Sequence, residues 1–215
     1  MRPMATLFAV VLGITLGGFS LDLSRPHSLI AKSAMPDPGL TDAPSEGTCF
    51  TCHNGGLNDP YGIIQIFNAP PVYTPGQDYL LVAVIVRTFG GSRWGFEATA
   101  LTSGGLMAGT LGDSSASVGT QTQGGKTYVS QTTLEGFDGT FSSASDSIGA
   151  AWAFKWTAPP VGTGPVTFYA AGTACDKDNS ANAGDYTYTT SVTSNEGSAT
   201  DVKATTWGEI KRIYR

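Results

Sequence analysis

The chain has 215 residues, of which 40% are hydrophobic and only 13% charged, with 28 glycines and a formal net charge of −5. That length can bury a sizeable core, and the apolar content is too high for a disordered chain. The few lysines and arginines are scattered except near the C-terminus, so no basic surface awaits phosphates and nucleic acid is excluded as a partner class.

In chain order, the first element is a leader. Arg2 precedes the uncharged apolar run "MATLFAVVLGITLGGFSL", from Met4 to Leu21, and small residues follow. This pattern predicts export, with residues 1–34 a signal peptide or, if uncleaved, an N-terminal anchor. The run falls just short of the about twenty residues that span a bilayer. Gly18 and Ser20 offer a small-x-small cleavage site.

Residues 35–60 read as a Pro-rich extended arm. "MPDPGLTDAPSEGT" holds Pro36, Pro38 and Pro44 among turn formers and shows no apolar period. From Tyr61 onward the signals change to short strands: "GIIQIFN", "DYLLVAVIVRT", "WGFEATAL", "KTYVSQT", "AWAFKWTA", "PVTFYAAGTA" and "DYTYTTSVTS", each bounded by Gly, Pro, Asp or Asn. β-Branched and aromatic runs of this length, without a helical period, predict an antiparallel sandwich over 61–215 with very little helix. Alternation places Trp152, Phe154 and Trp156 on one face, and Val166 and Phe168 opposite in sense to Thr167 and Tyr169; these aromatics are expected in the core.

The stretch "SEGTCFTCHNGG" concentrates chemistry that the rest of the chain avoids. It holds Cys49, Cys52 and His53, in a chain with three cysteines and two histidines. Four readings compete. A redox dithiol wants Cys-x-x-Cys at a helix start after a strand, and the surroundings here are loop. Zinc needs a fourth ligand, which Cys175 can supply. A Cys49–Cys52 disulfide suits an oxidising compartment. Covalent attachment of a c-type haem uses both thiols and makes the next residue, His53, the proximal iron ligand. A histidine at that one position favours haem c, one per chain.

The haem reading carries further expectations. Phe50, Leu57 and Tyr61 are the sizeable apolar residues nearby that can cover a porphyrin. Met35, Met107 and His27 are the candidates for a distal iron ligand. The arm is too short to bury a haem by itself, so the ring is expected against the sandwich or against a neighbouring molecule, with an intramolecular lid carrying Met35 as the alternative.

Two features stand apart. Cys175, in "GTACDKDNSANAGD", reads as a buried small residue at a strand end, with a reactive or bridging thiol as the alternative. The oxygens of Asp176, Asp178, Asn179 and Asp185 are spaced somewhat like a calcium loop, but the loop lacks a glycine at its sixth position and a closing glutamate, so a solvated turn is expected. No Ser-His-Asp arrangement is available, which leaves hydrolase chemistry unsupported.

The blocks "DAPSEGTCFTCHNGG", "YTPGQDYLLVAVIV", "GFEATALTSGGLMAGTL", "TYVSQT", "AWAFKWTAP", "GPVTFYAAGTA" and "GDYTYTTS" together resemble the bacterial Reeler-domain proteins often labelled choice-of-anchor V proteins. The resemblance covers most of the chain beyond the leader. It implies an exported all-β chain, an Ig-like or Reeler antiparallel β-sandwich, with a Cys-x-x-Cys-His near its start. The chain stops at "WGEIKRIYR" without the usual sorting tail, so surface anchoring by that route is not expected.

The sequence therefore predicts an exported monohaem cytochrome-like protein, periplasmic or at the cell surface, that carries electrons rather than catalysing a reaction. Its redox partner is unspecified, and self-association or a membrane-associated complex near the haem is expected. The alternative is a non-enzymatic surface or matrix module in which the cysteines form a disulfide or the haem is structural.

Overall fold

The structure is a computed structural model that describes residues 34–132, 148–176, 178, 180–181 and 183–198. The leader, His27, Asn179 and the C-terminal "WGEIKRIYR" lie outside the described residues. Eleven strands follow one another among the described residues: β1 (Gly56–Leu57), β2 (Gly62–Phe67), β3 (Val72–Tyr73), β4 (Asp78–Arg87), β5 (Arg93–Thr102), β6 (Thr110–Asp113), β7 (Val118–Gln123), β8 (Lys126–Gln131), β9 (Gly149–Thr157), β10 (Val166–Cys175) and β11 (Tyr186–Glu196). The one helical element among the described residues is a 3-10 turn at Cys49–Thr51.

The strands form two layers. One sheet runs β1-β11-β10-β5-β8-β7, with β3 added to β11, and the other runs β2-β4-β9-β6. The all-β sandwich expected from the alternation is present. The short strands β1, β3, β6 and β7 were not legible in the sequence: β6 is "TLGD" and β7 is "VGTQTQ", polar at their exposed positions, and pairing with β9 and β8 rather than their own pattern makes them strands.

The core sits between the layers. Trp152, Phe154 and Trp156 of β9 all point inward, and Val166 and Phe168 of β10 meet them from the facing sheet. Phe96 stacks on Trp152 at 4.7 Å between ring centroids, and Phe168 meets the edge of Trp156 at 4.7 Å. Both pairs cross the sandwich, so they fix how the layers face each other as well as burying area. The buried Trp156 indole donates to the carbonyl of Ala108 at 2.9 Å, so its polar atom is satisfied.

The stretch before β1 packs on the outer face of the larger sheet. Thr41, Ala43 and Cys49 are buried there. A buried carboxylate holds it down: Glu97 of β5 accepts from the amides of Leu40 at 2.6 Å and Gly39 at 3.2 Å. Glu46 adds a second tie, accepting from Thr41 Oγ1 at 2.6 Å, from Tyr128 at 2.8 Å and from Lys126 at 2.8 Å.

Candidate functional site

Sheet register prepares the floor of the site. In β10, Ala174 points into the core while Thr173 and Cys175 point out, and β5 and β11 set Gly95 and Thr187 beside Thr173. Gly95 makes room for the Gln131 side chain, which a Cβ at position 95 would meet at 3.0 Å. Asp185, immediately before β11, comes level with Cys175.

The docked stretch sets Cys49, Cys52 and His53 over this floor. Thr48 caps the 3-10 turn by accepting from the Phe50 amide at 3.2 Å, and the Cys49 carbonyl accepts from the amides of Cys52 at 3.1 Å and His53 at 2.9 Å. One turn therefore carries all three residues. Two further bonds pin the segment to β11: Gly55 donates to the Asp185 carbonyl at 2.7 Å, and Thr187 Oγ1 donates to the His53 carbonyl at 3.1 Å. Position 55 has to be glycine, because a Cβ would overlap the carbonyl oxygens of Ala183 and Asp185.

His53 Nδ1 lies 2.6 Å from Asp185 Oδ2, and the Cys175 sulfur lies 3.7 Å from the same nitrogen. The Asp185 side chain is only 2% exposed and that of His53 16%. Asp185 Oδ1 accepts from the Asp176 amide at 3.1 Å, so both of its oxygens are used. Burial alone would raise the Asp185 carboxyl, but the hydrogen bond and charge of His53 outweigh it and hold the carboxyl below its ordinary value. With Nδ1 engaged by the carboxylate, Nε2 is the nitrogen left for a metal.

Donor atoms of His53, Cys175 and Asp185 lie within 4.8 Å of one another, a mixed N, S and O set. The three cysteines are free thiols. Burial pushes all of them up: Cys49 strongly, with the Glu97 charge adding to it; Cys175 to about 12, with Asp185 adding; and Cys52, with Asp37 adding. Burial thus disfavours the thiolate form at each of them. A cleft of about 60 Å³ opens between Leu40, Cys49, Cys52, His53, Phe96 and Thr173.

The remaining sequence candidates distribute unevenly. Phe50, inside the turn, and Leu57, in β1, are exposed. Tyr61 is exposed too and leans on Phe89 at 4.7 Å, with the Arg87 guanidinium 5.9 Å from its ring. Met35 reaches the edge of the sheet, where its sulfur packs by Gly119, and Met107 accepts from the Thr127 amide at 3.4 Å and is bridged to Leu101, at the far end of β5 from Gly95. Neither lines the cleft beside His53. His27 lies outside the described residues.

Asp185 is the partner that the sequence reading left in a solvated turn, whereas Cys175, weighed there as a fourth zinc ligand beside Cys49, Cys52 and His53, does come close to His53. Asp185 is not part of a solvated turn: it is buried, and the loop before it is shaped by Asp176 and Asp178, which accept from the amides of Asp178 and Ser180 at 3.1 and 2.8 Å. An acidic residue just ahead of a strand that pairs with the cysteine-bearing strand was the available signal.

No protein-family model and no curated protein matches the chain. Among solved structures, the Reelin-N domain of F-spondin is 19% identical, with 69% of this chain and 96% of that chain covered and a TM-score of 0.42. The human F-spondin reeler domain (fragment 2) is 19% identical over 64% and 88% of the chains, with a TM-score of 0.39. AvmM, which catalyses macrocyclization in alchivemycin A biosynthesis, is 14% identical over 67% and 94%, with a TM-score of 0.38. The likeness is one of fold alone.

Proposed function

We propose that this β-sandwich is an exported, non-catalytic module that holds one haem c at Cys49 and Cys52, with His53 as iron ligand, and serves one-electron transfer. The observation that supports it most is the fixed histidine: a Cys-x-x-Cys-His sequence folded as a single turn, with His53 Nδ1 held at 2.6 Å by a buried carboxylate. A ligating histidine commonly donates its second ring nitrogen in this way, which sets the tautomer and the ring orientation and raises the basicity of the ligating nitrogen.

The residues present fit the group in donor chemistry. Cys49 and Cys52 offer thiols for thioether bonds, and His53 Nε2 is left to face iron. The cleft of about 60 Å³ is far smaller than a porphyrin, so most of the ring would lie outside it. Bound there, a haem supplies a reversible one-electron couple. The chain's part would be to hold the ligand ring through Asp185 and to tether the group through Cys49 and Cys52. Attachment at Cys49 requires that stretch to be undocked, since the thiol is buried with its sulfur 3.9 Å from the Leu40 carbonyl.

The same burial of Cys49 favours the second reading, a β-sandwich module without haem, in which Cys49 anchors the N-terminal stretch as an ordinary core residue. Expression with its leader in a host competent for haem attachment separates the two. On the haem reading, a denaturing gel stains for haem, and the stain is lost in Cys49→Ala/Cys52→Ala. An unstained wild-type band selects the module without haem. Among the described residues no helix is long and apolar enough to cross a membrane; export and periplasmic or surface location rest on the leader.

A further inference from the structure

The outer face of the β2-β4-β9-β6 sheet is apolar where a solvent face should be polar. Alternation turns Ile63 and Phe67 of β2, Leu80, Val82, Val84 and Val86 of β4, and Ala151 and Ala153 of β9 away from the core, a set broken by Gln65 beside Val84 and by Thr157 at the end beside Asp78, with register setting Ile63 beside Val86, Phe67 beside Val82, and Leu80 beside Lys155. Ile63, Phe67 and Leu80 are 47%, 48% and 52% exposed. An antiparallel sheet with one wet face normally alternates apolar and polar residues, whereas the unbroken apolar run "LLVAVIV" in β4 is the pattern of a strand covered on both sides.

We infer that this face is a self-association surface, and that a second copy of the chain packs on it sheet to sheet about a two-fold axis. Size supports that occupant. Strands of 6, 10, 9 and 4 residues, at about 3.4 Å per residue and about 4.8 Å apart, cover roughly 500 Å² in plan. Two such faces reach the roughly 1,000 Å² that a specific interface needs, and corrugated side chains add to the plan area. Charge supports it as well. Among the described residues the face carries one cation, Lys155, and one anion, Asp78, which sits near the end of the pair formed by β4 and β9. A two-fold axis can set each against its opposite on the other copy, which a self-complementary contact requires. Stacked sheets about 10 Å apart would interdigitate the valine rows.

The consequence for the module is geometric. The His53 site lies on the outer face of the other sheet, so this pairing leaves both sites pointing away from the contact, and neither copy covers the other's cleft.

Sedimentation equilibrium of the full chain across micromolar concentrations tests the inference, with Leu80→Glu and Ile63→Lys as variants at positions already half exposed. The expected result is a wild-type dimer whose dissociation constant rises at least tenfold in each variant that keeps the β-type circular dichroism of the parent. Should one variant fail to fold, the other decides. A wild-type chain that is monomeric throughout, with the face covered by residues 133–147 or 199–215 or left bare, overturns the inference; so does a dimer that survives in a folded variant.

Discussion

His53 and Asp185 stand 132 positions apart in the chain, yet their side chains meet at 2.6 Å, with the carboxylate only 2% exposed. That contact is made by two separate devices. The short parallel strand β1 and the Gly55 amide fix the histidine to the start of β11, and the pairing of β10 with β11 brings the aspartate level with it. A buried carboxylate on an imidazole is a strong tie because low local dielectric raises the value of the charge-assisted bond, and equally raises the cost of losing one partner.

Asp185→Asn therefore should cost about 1–3 kcal/mol of stability, measured by denaturant unfolding. In haem-loaded protein it should also raise the midpoint potential, since a neutral amide on Nδ1 makes His53 a less basic ligand and favours the reduced state. Equilibrium redox titration reads the shift. An unchanged potential would mean that Asp185 acts on the fold alone.

Docking of the stretch that carries the cysteines should depend on pH through Glu97. Burial pushes this carboxyl up to about 8, the amides of Leu40 and Gly39 pull the other way, and the charges of Glu46 and Asp37 add to the rise. Its Oε1 has no hydrogen-bond partner among the described residues. A folded-state value above the unfolded one means that the folded protein binds the proton more tightly. This contribution to stability is fully present below the carboxyl's ordinary value of about 4.5 and is lost as pH rises through about 8. The slope is about 1.4 kcal/mol per pH unit within that window. Protection factors of the Gly39 and Leu40 amides, referred to the intrinsic exchange rate at each pH, should fall across it, and Glu97→Gln should flatten the dependence. Protection that strengthens with rising pH would contradict the account.

In the core, Phe154→Ala should destabilise the chain by about 3–5 kcal/mol, because the ring is 1% exposed and packs against Phe96 at 6.3 Å between centroids. Thermal or denaturant unfolding gives the value. A cost below about 1 kcal/mol would place the ring outside the load-carrying contacts between the sheets.

The sandwich was legible because its inner strands carry their own pattern. Trp152, Phe154 and Trp156 alternate so regularly that their face follows from period two alone. The edges were not, since β6 and β7 become strands only through their partners. Of the site, Cys49, Cys52 and His53 are local in sequence and could be read directly. Cys175 could be weighed as a fourth metal ligand from the sequence, but its approach to His53, like that of Asp185, is made by strand register. The apolar run of β4 was equally visible, but its meaning depends on knowing that one of its faces lies on the outside of the sandwich.

The most direct measurement is the intact mass and thiol count of the protein purified after export in a host competent for haem attachment. The account predicts a polypeptide heavier by one haem that survives denaturation and acid-acetone extraction, with Cys175 as the sole thiol titrated in denaturant. A mass equal to that of the polypeptide, with Cys49 and Cys52 titrating as thiols or joined as a disulfide, would contradict it.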